Sequence, residues 1–183
     1  MVGINKHIKK FFKTKIQSVE VYNEFSLQHE LGIYLRSSLQ GYKIQFERNL
    51  EHFKIRGKLA KKEIDISIFN NDMSEKYAIE LKYQSSGRVP DTMFDCVVDV
   101  QFAEQLKSRG FTNVFCVAVF LQGHSGGKED GIYKYFRKEH SIYGNIYGQT
   151  GSTKNKCIYI EGKHDFLWNA IDGKNEKYYI IKV

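Results

Sequence analysis

The periodicities of this chain predict an α/β fold, a mixed sheet flanked by helices in the order α, β, β, β, α, β, followed by a C-terminal β-rich extension. Three observations predict it. Ile64, Ile66 and Ile68 alternate with Glu63, Asp65, Ser67 and Phe69, and after an Asn/Asp/Ser connection Tyr77, Ile79, Leu81 and Tyr83 alternate with Ala78, Glu80 and Lys82. Two period-two runs joined by turn chemistry make an antiparallel strand pair. Leu27, Leu31, Tyr34, Leu35 and Ser38 recur at helical spacing. The run NVFCVAVFL from Asn113 to Leu121 is short, continuous and β-branched, so it reads as a central strand buried on both faces.

Taken from the N-terminus, Lys6, Lys9, Lys10, Lys13 and Lys15 surround Ile8, Phe11, Phe12 and Ile16. That spacing predicts an amphipathic helix over residues 1–16 with a basic outer face, whether a phosphate-contacting arm, a membrane-surface helix or a solvated face. A second helix is expected from Gln17 to Leu39, ended by Gly41. Stepping back along its apolar stripe places Glu24 on the buried side, where a carboxylate must pair, snorkel or do chemistry. A first-turn glutamate complementing the helix dipole is the structural alternative. Glu30 falls off the stripe and is expected to be exposed.

Tyr42, Ile44 and Phe46 give the first strand, and a weaker alternation at Phe53 and Ile55, stopped by Gly57, predicts a hairpin arm. After Tyr83, QSSGRVPDT is a loop suited to the rim of a site, and Arg88 on it has the reach for phosphate. The next helix is expected from Asp91, as N-cap, to Arg109, with Gly110 as stop. Gln101 and Gln105 share one of its faces, where Gln101 is a candidate for orienting a water or a backbone phosphate, against the plainer reading of a surface glutamine. Strand, helix and buried strand together make the crossover of a parallel pair.

The glycines of QGHSGGKEDG lack the spacing of a phosphate-binding loop, and His124 within it is expected to be solvated. Ile132 to His140 is expected to be a short helix. There Lys134, Arg137 and Lys138 interleave with Tyr133, Tyr135 and Phe136, a mixture that suits nucleic acid or a half-buried helix with a wet side. Strands near 142–147, 157–161 and 177–183 form the extension.

With 183 residues, 42% of them hydrophobic, the chain is expected to be one domain with its core over about 17–121, a basic helix at 1–16 and an extension at 122–183. No apolar run reaches membrane-spanning length, so a cytoplasmic protein is expected, without a membrane partner. Cys96, Cys116 and Cys157 are odd in number and read as reduced core thiols. The net charge of +7 favours a polyanionic partner.

If the apolar faces of the paired strands share one core, Asp65 falls on the same side as Glu80 and Lys82. Two carboxylates suit Mg²⁺, with water and phosphate completing its shell. A lysine beside them can hold a water and offset charge on a phosphate. Acid-x-Lys triplets also occur at Glu161–Lys163 and Asp172–Lys174, but with Gly at their centres, as in hairpin tips. The plain alternative is a set of weak cross-strand ion pairs.

Glu24 on the leading helix, Asp65 on a strand, Glu80-Leu81-Lys82 on the next, then helix and buried strand resemble the PD-(D/E)xK, or restriction-endonuclease-like, nuclease superfamily over about Gln17 to Leu121. The stretch NEFSLQHELGIYL resembles the first helix of Holliday-junction-resolvase-like members. Ile64 stands where many members have proline. The resemblance implies that Asp65, Glu80 and the Leu81 carbonyl ligate Mg²⁺ or Mn²⁺. Lys82 would activate or orient the attacking water, and Glu24 would complete the metal site or hold a water. It implies a metal-dependent endonuclease acting on DNA in restriction, repair or resolution, and a homodimer is common among such enzymes that cut both strands. A non-catalytic DNA-binding or complex-forming protein of the same fold, and an RNA-binding module, are the alternatives.

Overall fold

A computed structural model of the chain describes residues 3–84, 87–121 and 127–183. Helix α1 (Ile4–Thr14) buries Ile4, Ile8, Phe11 and Phe12 and exposes Lys6, Lys9, Lys10 and Lys13, as the spacing requires. Phe12 stacks on Tyr178 with ring centroids 4.0 Å apart, fixing the helix to the body.

Helix α2 (Glu24–Ser38) begins later than the periodicity suggests, because Asn23 stops it. The Asn23 side chain accepts from the Ser26 amide at 2.8 Å and the Ser26 hydroxyl accepts from the Asn23 amide at 3.0 Å, a reciprocal cap worth about 1 kcal/mol. Residues 16–18 form only a separate 3₁₀ turn. Leu27, Leu31, Tyr34 and Leu35 are buried as expected, whereas Glu30 is half-buried rather than exposed.

Strands β1 (Tyr42–Asn49), β2 (Glu63–Asn70) and β3 (Lys76–Tyr83) form an antiparallel run. The hairpin arm expected at Phe53–Gly57 does not form. The Asn49 side chain instead accepts from the Glu51 amide at 2.9 Å, capping a 3₁₀ turn at Leu50–Phe53 that ends in left-handed Lys54. Helix α3 (Val89–Ser108) starts before Asp91, with Arg88 at its N-cap position and Pro90 in its first turn. Asp91 is thereby free to accept from Thr150 and Thr153 at 3.0 and 2.9 Å. Strand β4 (Asn113–Leu121) returns parallel to β3 and is buried along both faces.

The C-terminal third departs from a simple extension. Strands β5 (Ser141–Tyr147) and β6 (Cys157–Asp165) make a separate two-stranded sheet, but β8 (Glu176–Lys182) pairs antiparallel with β4, and the short β7 (Asn169–Ala170) pairs with β8. The main sheet therefore has six strands in the order β1-β2-β3-β4-β8-β7. Joining β8 to β4 satisfies the backbone groups of what would otherwise be an apolar edge. The segment expected to be a helix at 132–140 holds a single π turn, Lys134–Glu139.

Two cores sandwich the sheet. One holds side chains of α1, α2 and the odd-numbered residues Tyr77 to Leu81 of β3, and the other holds α3, the β5–β6 sheet and the opposite face. Strand β2 is buried on both sides, and its isoleucines divide, with Ile64 in the α3 core and Ile66 and Ile68 in the α2 core. The division coincides with a gap in the β1–β2 register opposite Asp65, where Glu47 takes φ 47°. Cys96 and Cys116 are buried thiols, whereas Cys157 is exposed, because the outer face of β6 is open.

Candidate active site

The candidate site lies where β2 and β3 cease to pair. Their register ends at Ile66–Ile79, one step short of Asp65 and Glu80. There side chains take over from the backbone ladder: the Leu81 amide donates to Asp65 Oδ2 at 2.7 Å and the Asp65 amide lies 3.4 Å from Glu80 Oε1. Each carboxylate thus caps the other strand's backbone, which holds both on one side of the sheet.

Their remaining oxygens meet on one cation, and it is a lysine of this chain. Lys61, in the loop entering β2, places its ammonium 3.3 Å from Asp65 Oδ1 and 3.2 Å from Asp99 Oδ1, and donates to Glu80 Oε2. Asp99 belongs to α3 and is almost wholly buried, as is Glu80. Lys82 lies 3.6 Å from Asp99 Oδ2, donates to the Leu81 carbonyl at 2.9 Å and pairs with Glu24 at 3.2 Å. The network therefore runs from Glu24 through Lys82, Asp99 and Lys61 to Glu80 and Asp65.

Glu24 does not share the buried stripe of α2. It stands at the first helical position with 41% of its side chain exposed, so it complements the helix dipole and positions Lys82. Gln28, one turn on, is buried and donates to the Asp65 carbonyl at 2.7 Å and to Glu47 at 2.5 Å. It fixes the β2 backbone beside the irregularity at Asp65.

Four carboxylates, Asp65, Glu80, Asp99 and Glu24, face two ammoniums, Lys61 and Lys82, a surplus of two negative charges when all are ionised. Burial dominates the titration of these acids, with carboxylate repulsion adding to it. Burial, then repulsion from Asp65, raises Glu80 well above the carboxylate range despite Lys61. Burial pushes Asp99 up to about 6 against the attraction of Lys82 and Lys61. Burial also raises Glu24, against the pull of Lys82. Burial works against charge on both lysines, but Glu80, Asp99 and Asp65 around Lys61, and Asp99 and Glu24 around Lys82, outweigh it and raise both. Lys82 is thus held as a hydrogen-bond donor and positive charge beside Glu24, Asp99 and the Leu81 carbonyl.

A divalent ion would find suitable chemistry here: oxygen donors only, carboxylates from Asp65 and Glu80, the Leu81 carbonyl, and an excess of negative charge when the acids are ionised. Among the described residues no three His, Cys, Asp or Glu side chains are already arranged to hold a metal ion. The Lys61 ammonium lies against oxygens of Asp65, Glu80 and Asp99, and the Lys82 ammonium against Glu24, Asp99 and the Leu81 carbonyl. The residues fit the ion provided that Lys61 withdraws.

The other residues singled out in the sequence lie elsewhere. Arg88 is exposed at the head of α3. Gln101 is turned to the two-stranded sheet, its amide 3.4 Å from the Tyr159 carbonyl, so the role of orienting water or phosphate at the site falls away. Gln105 accepts from the Ala60 amide at 2.8 Å. Lys134 pairs with Glu139 at 3.1 Å, Arg137 stacks over Tyr133 at 4.0 Å and donates to the Lys128 carbonyl at 2.8 Å, and Lys138 is exposed. His124 lies outside the described residues.

Asp99 and Lys61 escape the sequence reading. Asp99 was accessible to it, because Cys96, Phe102, Ala103 and Leu106 place it on the apolar stripe of α3, the same signal that drew attention to Glu24. Lys61 leaves no periodic trace in a loop. Comparison of the chain with family models, with curated proteins and with solved structures returns no match. Among the described residues no helix is long and apolar enough to cross a membrane.

Proposed function

We propose that the protein is a divalent-metal-dependent nuclease hydrolysing phosphodiester bonds, with DNA as substrate and Mg²⁺ or Mn²⁺ as the ion. The observation that carries this reading is the sharing of one cation by Asp65 and Glu80 at the point where β2 and β3 part, with Lys82 alongside. The element order from α2 to β4 and the net charge of +7 support it, as does the resemblance to the PD-(D/E)xK superfamily.

In this reading Asp65, Glu80 and the Leu81 carbonyl hold the ion. When bound, it supplies Lewis-acid polarisation of the phosphate and a more acidic nucleophilic water. Lys82, kept protonated by Asp99 and Glu24, donates to the water or to a phosphate oxygen and offsets the charge that develops there. Glu24 sets the direction of Lys82, and the buried Glu80 and Asp99 keep bulk water from screening these contacts.

The test is a cleavage panel over linear, circular, branched and single-stranded DNA with Mg²⁺ or Mn²⁺, on wild type, Glu80→Ala and Lys82→Ala. Cleavage by wild type should fall by about a hundredfold or more in each variant, while binding measured in Ca²⁺ persists. Undiminished cleavage in either variant rejects the assignment. A second reading rests on Lys61: if its ammonium stands permanently in the cation's place, the protein binds DNA without cutting it, and wild type gives no cleavage with any ion.

A further inference from the structure

Beside the carboxylate network lies a cleft of about 1060 Å³ formed by the turn after β1 and the loop entering β2. Its lining includes Lys54, Arg56, Lys58 and Lys62, all exposed, with Glu51 as its one acid. Among the described residues none of these four cations pairs with a carboxylate. The loop carrying them is held in shape. Arg109 donates to the Arg56 carbonyl at 2.9 Å, Gln105 takes the Ala60 amide, the Leu50 amide donates to the Lys62 carbonyl at 3.1 Å, and Ile55 is buried. A rigid frame presenting unpaired cations is an anion-binding surface. Lys61 lines this same cleft, while its ammonium sits among Asp65, Glu80 and Asp99.

We infer that the cleft seats the phosphate backbone of the nucleic acid, and that Lys61 couples the two sites by moving between them. In the state described, Lys61 neutralises the carboxylates. A divalent ion entering there displaces a like charge, and the released ammonium joins the phosphate contacts in the cleft. Conversely, phosphate in the cleft attracts Lys61 outward and frees the carboxylates for the ion. Each ligand then strengthens the other by the same factor, as linkage demands. Between visits the lysine prevents four buried or half-buried acids from facing one another with Lys82 as their sole counter-ion. The inference rests on the ion-binding reading above.

The experiment measures binding in both directions, with Ca²⁺ as a non-cleaving probe and a labelled 20-base-pair DNA duplex as the anion. Calorimetry gives Ca²⁺ affinity with and without DNA, and fluorescence anisotropy gives DNA affinity with and without Ca²⁺ across a salt series. For wild type, saturating Ca²⁺ should tighten DNA about tenfold and steepen the slope of log K against log salt by about one, for one added phosphate contact. In Lys61→Gln the ion meets no competitor, so Ca²⁺ alone should bind more tightly than to wild type and the mutual enhancement should vanish. Enhancement of wild-type size in Lys61→Gln would mean that the ion merely bridges carboxylate and phosphate, and would overturn the role of Lys61.

Should Lys61→Gln fail to fold, as removal of a central counter-ion allows, Lys61→Arg serves. Its bulkier, bidentate head should bind the acids more firmly and weaken Ca²⁺ binding, and unchanged Ca²⁺ affinity overturns the proposal. Lys58→Ala with Lys62→Ala should lose DNA affinity without loss of Ca²⁺ affinity. Equal binding of polyglutamate and DNA would reject a nucleic-acid seat, and a single-stranded RNA arm separates the two nucleic acids. Failure of Ca²⁺ to bind wild type at all would remove the nuclease reading itself. Binding without coupling removes only the role of Lys61.

Discussion

Two regions of this molecule are rich in lysine and arginine, and they spend that charge differently. In the turn at 133–138 the cations are largely used within the fold: Lys134 on Glu139, Arg137 on the ring of Tyr133 and on a backbone carbonyl. In the loop at 54–62 only Lys61 is so engaged, while Lys54, Arg56, Lys58 and Lys62 face an open cleft beside the carboxylates. The stretches look alike as strings of letters, and the turn, with its interleaved aromatics, looks the better nucleic-acid surface. Local partners decide which charges remain for a ligand. A cation already paired must give up that pair before it can contact phosphate.

Charge reversal should break this comparison most visibly. Lys58→Glu with Lys62→Glu is expected to weaken DNA binding at low salt on the order of a hundredfold, because attraction at two phosphate contacts becomes repulsion. Lys134→Glu with Lys138→Glu should weaken it by less than about threefold. Equal losses, read by anisotropy, would erase the distinction.

The contrast between matched and unmatched charge extends into the site, where it predicts a dependence on pH. The folded-state pKa of Asp99, about 6, exceeds its ordinary value of 3.8. The folded protein therefore binds this proton more tightly than the unfolded chain does, so its contribution to stability is present at low pH and lost as pH rises from about 4 through about 6. Relative to Asp99→Asn, metal-free wild type should lose on the order of 2 kcal/mol across that window in urea unfolding. A difference curve that rises with pH would contradict the upward shift that burial imposes on Asp99.

The smallest effect concerns the paired region alone. Arg137→Ala should cost about 1 kcal/mol of stability through its lost ring stacking and carbonyl bond, whereas Arg56→Ala should change stability by less than about 0.5 kcal/mol. Thermal unfolding of both variants sharpens the claim that one arginine serves the fold and the other is held for a ligand.

The parts legible in the sequence are those written as periodicity. Alternation gives the strands β2 and β3 and sets Ile66, Ile68, Ile79 and Leu81 in one core, and α1 follows from its 3.6-residue spacing. But β2 is buried on both sides and Ile64 turns to the opposite core, so Asp65 and Glu80 are brought together by the hydrogen bonds at the end of the ladder rather than by a single buried face. What periodicity does not encode went unread. The Asn23 cap, a hydrogen bond between two particular side chains, ends the reach of the α2 pattern. The addition of β8 to the main sheet depends on which edge of β4 is open, and no alternation specifies that. Lys61 reaches its place from a loop whose path is set by Gln105, Arg109 and the backbone of Leu50. Asp99 differs from these, because its spacing from Cys96, Phe102, Ala103 and Leu106 sets it on the apolar stripe of α3.

The central claim is that Asp65 and Glu80 share one divalent ion. Titration of the metal-free protein with Mn²⁺ at pH 7.5, followed by electron paramagnetic resonance of the free ion, tests it most directly. Wild type should take up Mn²⁺ at millimolar or lower concentration and folded Glu80→Gln should not. Uptake that is absent from wild type, or identical in the two proteins, would contradict it.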